Sequence, residues 1–199
     1  MLSVPGYFAF QGVLATFSDG PSDLFDQISA GGGLFGYILL ALATVGFLVR
    51  RTLPQTLARL GIRGLNAVDM IAIGIGVIGL LALNTGADWI QEHYFTHLWN
   101  LDRRMNEAIA GGLGPLQVAV VGLSAGIGEE ITLRGALQPK LGLVLTSLLF
   151  AALHVQYTWF GMAVIFFFGV ILGWIRQRSS TSVAMAVHVL YDVVALFTT

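Results

Sequence analysis

Long runs of apolar residues dominate the chain, and short polar stretches separate them. Runs without Asp, Glu, Lys or Arg include Gln27–Val49, Met70–Ala87, Ala108–Gly128 and Leu141–Ile175. A helix needs roughly 20 mostly apolar residues to cross the hydrocarbon core of a bilayer. The last run is too long for one crossing and must fold back on itself. The pattern therefore predicts an integral membrane protein.

The polar breaks between the runs predict about six transmembrane helices. We place them at about Leu34–Val49, Val68–Gly86, Ala108–Gly128, Leu141–Tyr157, Trp159–Ile175 and Ser182–Phe197. Asp88–Glu107 mixes charges with aromatic rings, which favour the headgroup level, and is predicted to be an interfacial amphipathic helix. Met1–Ala30 is expected to be an interfacial or re-entrant segment. The predicted fold is an all-α, polytopic transmembrane bundle that forms one domain, 1–199, with a motif-bearing core at about 108–197.

Basic residues in short loops predict the orientation, because they are retained on the cytoplasmic side. Alternating spans place most of them on one face: Arg50, Arg51, Arg59, Arg63, Lys140, Arg176 and Arg178. Arg103 and Arg104 fall on the opposite face, and the N-terminus is expected outside. The many arginines and glycines favour a GC-rich bacterial genome, so we expect the protein in the bacterial inner (cytoplasmic) membrane.

Composition agrees with this class and excludes others. The chain is 56% hydrophobic and 11% charged, whereas a soluble domain carries about a quarter charged residues. A net charge of −1 gives no reason to expect nucleic acid as a partner. The lipid bilayer is the expected surrounding. The chain contains no cysteine, which excludes disulfides and thiolate metal sites.

Six ionisable residues of the second half of the chain lie inside its apolar spans or directly after the third one. They are Glu129, Glu130, Arg134, His154, His188 and Asp192. Such groups cost several kcal/mol at membrane depth and are functional by default. Scattered singly, each would need its own partner, whereas gathered at one place they satisfy one another and build a site. We therefore expect them to converge.

Helical spacing supports this convergence. Glu130 and Arg134 are four residues apart and share a helix face, so they are expected to pair. Glu129 is rotated by about 100° from Glu130, so it can point into a cavity and stay free for proton transfer. His188 and Asp192 share a face in the same way, and the carboxylate can fix the imidazole tautomer or act as a second ligand.

These side chains suit two kinds of hydrolysis. A carboxylate and two histidines can bind a metal ion and activate water, or Glu129 alone can act as the general base. His154 follows Phe150 by one helical turn, so the ring can form a wall of the pocket. Both routes end in cleavage of a peptide-like bond.

The three motifs follow one another in order: Glu129-Glu130-x-x-x-Arg134, Phe150-x-x-x-His154 and His188-x-x-x-Asp192. Their order and spacing resemble the signature of the CPBP (or Abi) intramembrane peptidases. That family includes the type II CaaX prenyl endopeptidases and bacteriocin-processing proteins. The resemblance implies an endopeptidase that acts on a membrane-anchored peptide or protein, prenylated or bacteriocin-like.

The resemblance also implies a role for each motif residue. Glu129 would activate the attacking water and His154 would assist it, while His188 with Asp192 would stabilise the oxyanion or orient the water. Glu130, Arg134 and Phe150 would support the site. The family often has Asn where this chain has Asp192, and an ionised Asp cannot donate a hydrogen bond to an oxyanion. The resemblance leaves metal dependence open, and a divalent ion such as zinc would suit Glu129, His154, His188 and Asp192.

Two other functions use the same residues. A proton-coupled membrane carrier could use them as a relay, and a non-catalytic scaffold could use them only for packing. His93 and His97 have ligand-like spacing too, but they lie in the predicted interfacial helix and are expected to be solvated. The glutamates are expected at the cytoplasmic end of the third span. Helix tilt or a re-entrant helix at Glu129–Pro139 would then bring His154 to Glu129, in a cavity open to the cytoplasm or to lipid.

Overall fold

The fold is built from helices packed along their lengths. The computed structural model describes residues 36–47 and 49–198, and residues 36–44 are helical. The helices that follow are α1 (Leu53–Leu60), α2 (Ala67–Tyr94), α3 (Thr96–Ala110), α4 (Pro115–Glu130), a π-helix (Ile131–Leu137), α5 (Gln138–Ala152), α6 (Trp159–Arg178) and α7 (Thr181–Thr198). These residues form no β-strand, which confirms the all-α prediction. The segment Met1–Ala30 lies outside the described residues.

Four helical stretches of the described chain are long and apolar enough to cross a membrane: Ala67–Tyr94, Pro115–Ala152, Trp159–Arg178 and Thr181–Thr198. Large apolar side chains point outward along them, as lipid-facing residues do, and Val68, Ile75 and Val144 are more than half exposed. The chain is therefore an integral membrane protein. The count of six spans stays a prediction.

The stretch Pro115–Ala152 is a helical hairpin rather than one straight helix. Gly142 interrupts α5 with φ 79° and ψ 173°, a backbone conformation essentially restricted to glycine. Arg134 and Phe150, which lie at equal distances in sequence from Gly142, face each other with the guanidinium carbon 4.5 Å from the ring centroid. The chain therefore reverses at Gly142, and the two arms run antiparallel.

Both arms of the hairpin pack against α6 through glycines. Gly169 of α6 lies against Ser147 and Phe150, and a Cβ atom there would lie 3.0 Å from Cβ of Ser147. One turn further along α6, Gly173 faces Leu143, and the side-chain amide of Gln138 donates to its carbonyl oxygen at 2.8 Å. Small residues allow helices to approach closely where no hydrophobic force drives them together.

Two predicted boundaries are wrong. The predicted span Ala108–Gly128 is divided between α3 and α4, because the glycine-rich turn after Ala110 ends α3 and Pro115 occupies the first turn of α4. The predicted interfacial helix Asp88–Glu107 is divided between α2 and α3. Its first part contains no helix-breaking residue, so α2 continues to Tyr94 before the chain turns at Phe95.

One end of the bundle carries Arg59, Arg63 and Arg176. The Arg63 guanidinium binds Asp69 at 2.7 Å and donates to Ser179 Oγ at 3.0 Å, which joins the start of α2 to the α6–α7 turn. Arg59 and Arg176 donate to backbone carbonyl oxygens of the π-helix at 3.4 and 3.1 Å. We call this the basic end. The turn between α2 and α3, the start of α6 and the end of α7 lie at the other end.

Candidate active site

The first motif begins at the end of α4 and continues into a π-helix in the core of the bundle. The residues Ile131–Leu137 continue directly from α4, and the motif residues Glu130 and Arg134 are 0% and 1% exposed. Gly135 lets α1 approach, because a Cβ atom there would lie 3.1 Å from the carbonyl oxygen of Leu60. π-Helical turns are rare and are frequently found at functional sites.

The predicted pairing of Glu130 with Arg134 is confirmed. Their closest atoms, Oε1 and Nη1, are 3.3 Å apart. Arg134 also donates from Nη2 to the carbonyl oxygen of Gly169 at 3.3 Å, and its guanidinium lies over the Phe150 ring. A buried carboxylate is costly unless it is paired. Arg134 therefore supplies the partner that the buried Glu130 side chain needs.

His188 lies between two carboxylates. Its Nδ1 is 3.1 Å from Oε1 of Glu130, a contact that the sequence did not predict, and its Nε2 is 3.5 Å from Oδ2 of Asp192, as the shared helix face predicts. The shorter contact fixes the ring orientation and turns Nε2 toward Asp192. Glu130 thus links the first motif to the third, in addition to its pairing with Arg134.

His154 lies in the turn that follows α5. Its Nδ1 is 2.8 Å from the carbonyl oxygen of Phe150, and a carbonyl only accepts, so Nδ1 carries a proton and Nε2 faces other partners. Burial lowers the pKa of the His154 imidazole, which favours the neutral ring with an Nε2 lone pair. The Phe150 ring lies edge-on to both histidines, with centroids 4.9 Å from His154 and 5.8 Å from His188.

Glu129 differs from its neighbour in both burial and contacts. Whereas Glu130 is fully buried, Glu129 is only half-buried. No hydrogen bond or ion pair joins its carboxylate to another side chain in the described part of the protein. Glu130 is therefore held by its contacts inside the bundle, whereas the Glu129 carboxylate is open to a substrate or a water molecule.

A cavity of about 520 Å³ brings the motifs together. Its wall includes Glu129, Phe150, His154, His188 and Asp192. The structure thus places the four predicted catalytic side chains at one cavity, with Glu130 and Arg134 behind them. Because the chain reverses at Gly142, Glu129 and His154 line the same cavity. Their catalytic roles stay a prediction.

The side chains as arranged do not fit a metal ion. Across residues 36–47 and 49–198, no group of three or more His, Asp or Glu side chains is placed to hold one. Both nitrogens of His188 already face carboxylate oxygens, so neither offers a free lone pair. The predicted zinc ligands Glu129, His154, His188 and Asp192 share a cavity but do not form a coordination shell.

The cavity lies toward the end of the bundle opposite the basic end. Besides the motif residues, its wall includes Asp102 and Asn106 of α3, Gly161 near the start of α6 and Thr198 at the end of α7. The glutamates lie midway along the Pro115–Leu141 arm instead of at the end of a span, because the helix continues beyond them to Gly142. The cavity therefore lies away from the basic end, and its opening to the cytoplasm or to lipid stays a prediction.

The cavity wall is acidic. Four carboxylates line it, those of Asp88, Asp102, Glu129 and Asp192, whereas no Arg or Lys does. All ten Arg and Lys residues of the sequence lie in the described part, so the remainder of the chain adds no Arg or Lys to the wall. A bound peptide segment with its own carboxylate would meet repulsion from several sides.

The sequence did not single out Asp102, because it lies in the segment interpreted as interfacial. In the structure this carboxylate is 7% exposed and accepts hydrogen bonds from Gln91 and from Thr158. The only sequence signal was its position four residues before Asn106, on the same face of a helix. His93 and His97 are exposed and do not line this cavity, as expected.

Comparison with family models identifies the part of the chain that carries the motifs. Residues 111–194 match the family described as type II CAAX prenyl endopeptidase Rce1-like. The resemblance inferred from the three motifs is confirmed. The match contains all three motifs and covers less than half of the chain. No curated protein and no solved structure matches. The match supports membership of a protease family and therefore peptidase activity.

Proposed function

We propose that the chain is an intramembrane endopeptidase that hydrolyses a peptide bond of a membrane-anchored peptide or protein. One observation carries the proposal: the Glu129 carboxylate, which pairs with no side chain among residues 36–47 and 49–198, shares a cavity with His154, His188 and Asp192 inside an apolar bundle. The match to a protease family supports the same reaction. A prenylated or bacteriocin-like substrate in the bacterial inner membrane is the finer form of the proposal.

The first step is activation of water by Glu129. Its carboxylate takes a proton from a water molecule, and the oxygen of that water attacks the carbonyl carbon of the scissile bond. His154 assists, because Nδ1 is held by the Phe150 carbonyl and Nε2 can accept a hydrogen bond from the same water. No step in this scheme depends on a metal ion.

The second step is stabilisation and collapse of the tetrahedral intermediate. His188 supplies an Nε2–H donor for the oxyanion when its long 3.5 Å contact with Asp192 gives way, while Glu130 holds Nδ1. Glu129 then gives its proton to the leaving nitrogen, and the carbon–nitrogen bond breaks to release an amine and a carboxylate. An ionised Asp192 has no hydrogen to donate to the oxyanion, so its role is to orient the imidazole.

Apolar side chains would accommodate the substrate next to these groups. Val164 and Ile165 of α6 and Leu196 of α7 line the same cavity. A peptide segment that enters from the bilayer can bury apolar side chains there, and its scissile carbonyl would lie beside Glu129. The apolar lining and the charged centre together suit a membrane-anchored substrate.

The test is cleavage of a membrane-anchored reporter peptide by the purified protein in lipid vesicles. We expect Glu129→Gln to lower kcat at least about 100-fold, the usual contribution of a positioned general base. Glu107→Gln is the matched control, because Glu107 is an exposed carboxylate on α3 that pairs with Arg103 on the helix surface. Wild-type rates in Glu129→Gln would refute the proposal.

A further inference from the structure

Helix α3 is hydrogen-bonded to the turn that leads from α5 to α6. Oδ1 of Asp102 accepts a hydrogen bond from the backbone N–H of Thr158 at 2.7 Å, and Oδ2 accepts one from the Thr158 hydroxyl at 2.6 Å. Gln91 of α2 donates from Nε2 to the same Oδ2 at 2.7 Å. One buried carboxylate therefore joins α2, α3 and the first residue before α6.

A second contact one turn along α3 reaches the same segment. The Tyr157 hydroxyl donates to Oδ1 of Asn106 at 2.8 Å. Burial raises the pKa of the Tyr157 hydroxyl to about 12, so it remains a donor at neutral pH. The Tyr157 ring lies beside the His154 imidazole, with centroids 6.5 Å apart, and the Tyr157 N–H donates to the His154 carbonyl oxygen at 3.1 Å. The contacts thus continue from α3 to the histidine.

We propose that Asp102 is a positioning residue that holds His154 at the cavity, with Asn106 as its second point of contact. The proposal rests on the endopeptidase proposed above. Both residues lie before the segment that matches the family, so the family match does not assign them a role. In this arrangement α3 sets the orientation of a side chain that lies in a turn and, among the described residues, makes a single hydrogen bond, to the Phe150 carbonyl oxygen.

Packing alone would hold α3 weakly. Asp102 and Met105 are the buried residues of the helix, and the rest of its described side chains are exposed or half-exposed. The polar contacts to Thr158 and Tyr157 therefore account for much of its attachment. Charge-assisted hydrogen bonds of this kind are short and roughly twice as strong as neutral ones. Their loss is expected to loosen the 153–158 turn while the core formed by α4, α6 and α7 stays intact.

The kinetic test separates positioning from folding. Asp102→Asn is expected to lower kcat about 10- to 100-fold, since a misplacement of about 1 Å can cost about 100-fold. KM for an uncharged substrate is expected to stay within about twofold, because the Asp102 oxygens are bound by Gln91 and Thr158 and the loss of a wall charge does not act on such a substrate. Thr158→Ser keeps the hydroxyl and should retain the wild-type kcat, whereas Thr158→Val removes it and should resemble Asp102→Asn. Glu107→Gln on the same helix is the control.

The second test does not depend on activity. The sequence has no cysteine, so Val155→Cys carries a single nitroxide label in the turn. Its electron paramagnetic resonance spectrum should show faster motion when Asp102→Asn is added and no change when Glu107→Gln is added. Unchanged motion together with unchanged kcat in Asp102→Asn would overturn the inference. If the wild type cleaves no substrate, the proposed function fails, and the label alone decides whether Asp102 holds the turn.

Discussion

Replacing Gly142 with alanine tests the hairpin on which the site depends. A Cβ atom at Gly142 would meet no atom within 4 Å, so the substitution changes only the backbone preference. The native φ of 79° and ψ of 173° lie in a region where a residue with a side chain is strained by about 1–3 kcal/mol. We therefore expect Gly142→Ala to lower the free energy of unfolding by about 1–3 kcal/mol.

The assay is reversible unfolding in mixed detergent micelles. Gly74→Ala is the matched control, because Gly74 also has no neighbour within 4 Å of a Cβ atom but lies inside the regular helix α2. Alanine is favoured over glycine in a helix by about 0.5–1 kcal/mol, so this variant should be more stable than the wild type. If Gly142→Ala were as stable as Gly74→Ala, Gly142 would not adopt this conformation and the reversal of the chain would be wrong.

Three further predictions address the ion pair, the orientation and the charge of the cavity. Arg134→Met leaves the Glu130 carboxylate buried without its cation and should lower the free energy of unfolding by about 3–5 kcal/mol. Adding Glu130→Gln should restore much of that loss. Equal stability of the single and double variants would contradict the pairing. A cysteine introduced at Gln156, at the cavity, should react with a membrane-impermeant maleimide on intact cells. A cysteine at Gln177, at the basic end, should react only after permeabilisation. Labelling of both cysteines from one side would refute the placement of the cavity and the basic end on opposite sides of the membrane. A substrate with a carboxylate beside the scissile bond should be cleaved at least about tenfold more slowly than its amide counterpart. Like charges about 6 Å apart repel by about 2–3 kcal/mol at an effective dielectric constant of 20. Equal rates would show that the acidic wall does not discriminate against negatively charged substrates.

The sequence alone was sufficient for the helical class and for the convergence of the motifs. Ionisable residues are costly inside apolar spans and are favoured where they can satisfy one another, so the sequence predicts that Glu129, His154, His188 and Asp192 converge. Spacing of four residues was sufficient for the pairing of Glu130 with Arg134.

The path of the chain between the first two motifs could not be predicted in the same way. Gly142 is one of 25 glycines, and a periodic apolar pattern does not show which of them adopts a positive φ. The sequence pattern therefore predicts Glu129 at the end of a span, whereas the helix continues beyond it to Gly142. The contact of His188 with Glu130 depends on the same packing, since it joins helices that are distant in sequence.

Asp102 shows a second limit of sequence reasoning. A carboxylate among other charges on an amphipathic helix is usually solvated, and only the fold reveals that this one faces the Thr158 turn. A buried polar contact between distant segments leaves no periodic trace in a single sequence.

The central claim is that Glu129 directs water onto a peptide bond. The most direct test incubates the wild type and Glu129→Gln with a membrane-anchored peptide in water enriched in oxygen-18. The masses of the products are then measured by mass spectrometry. We predict that the wild type yields a new carboxyl group with one heavy oxygen and that Glu129→Gln yields no product above background. Product of the same mass and amount from Glu129→Gln, or product without the heavy oxygen from the wild type, would contradict the claim.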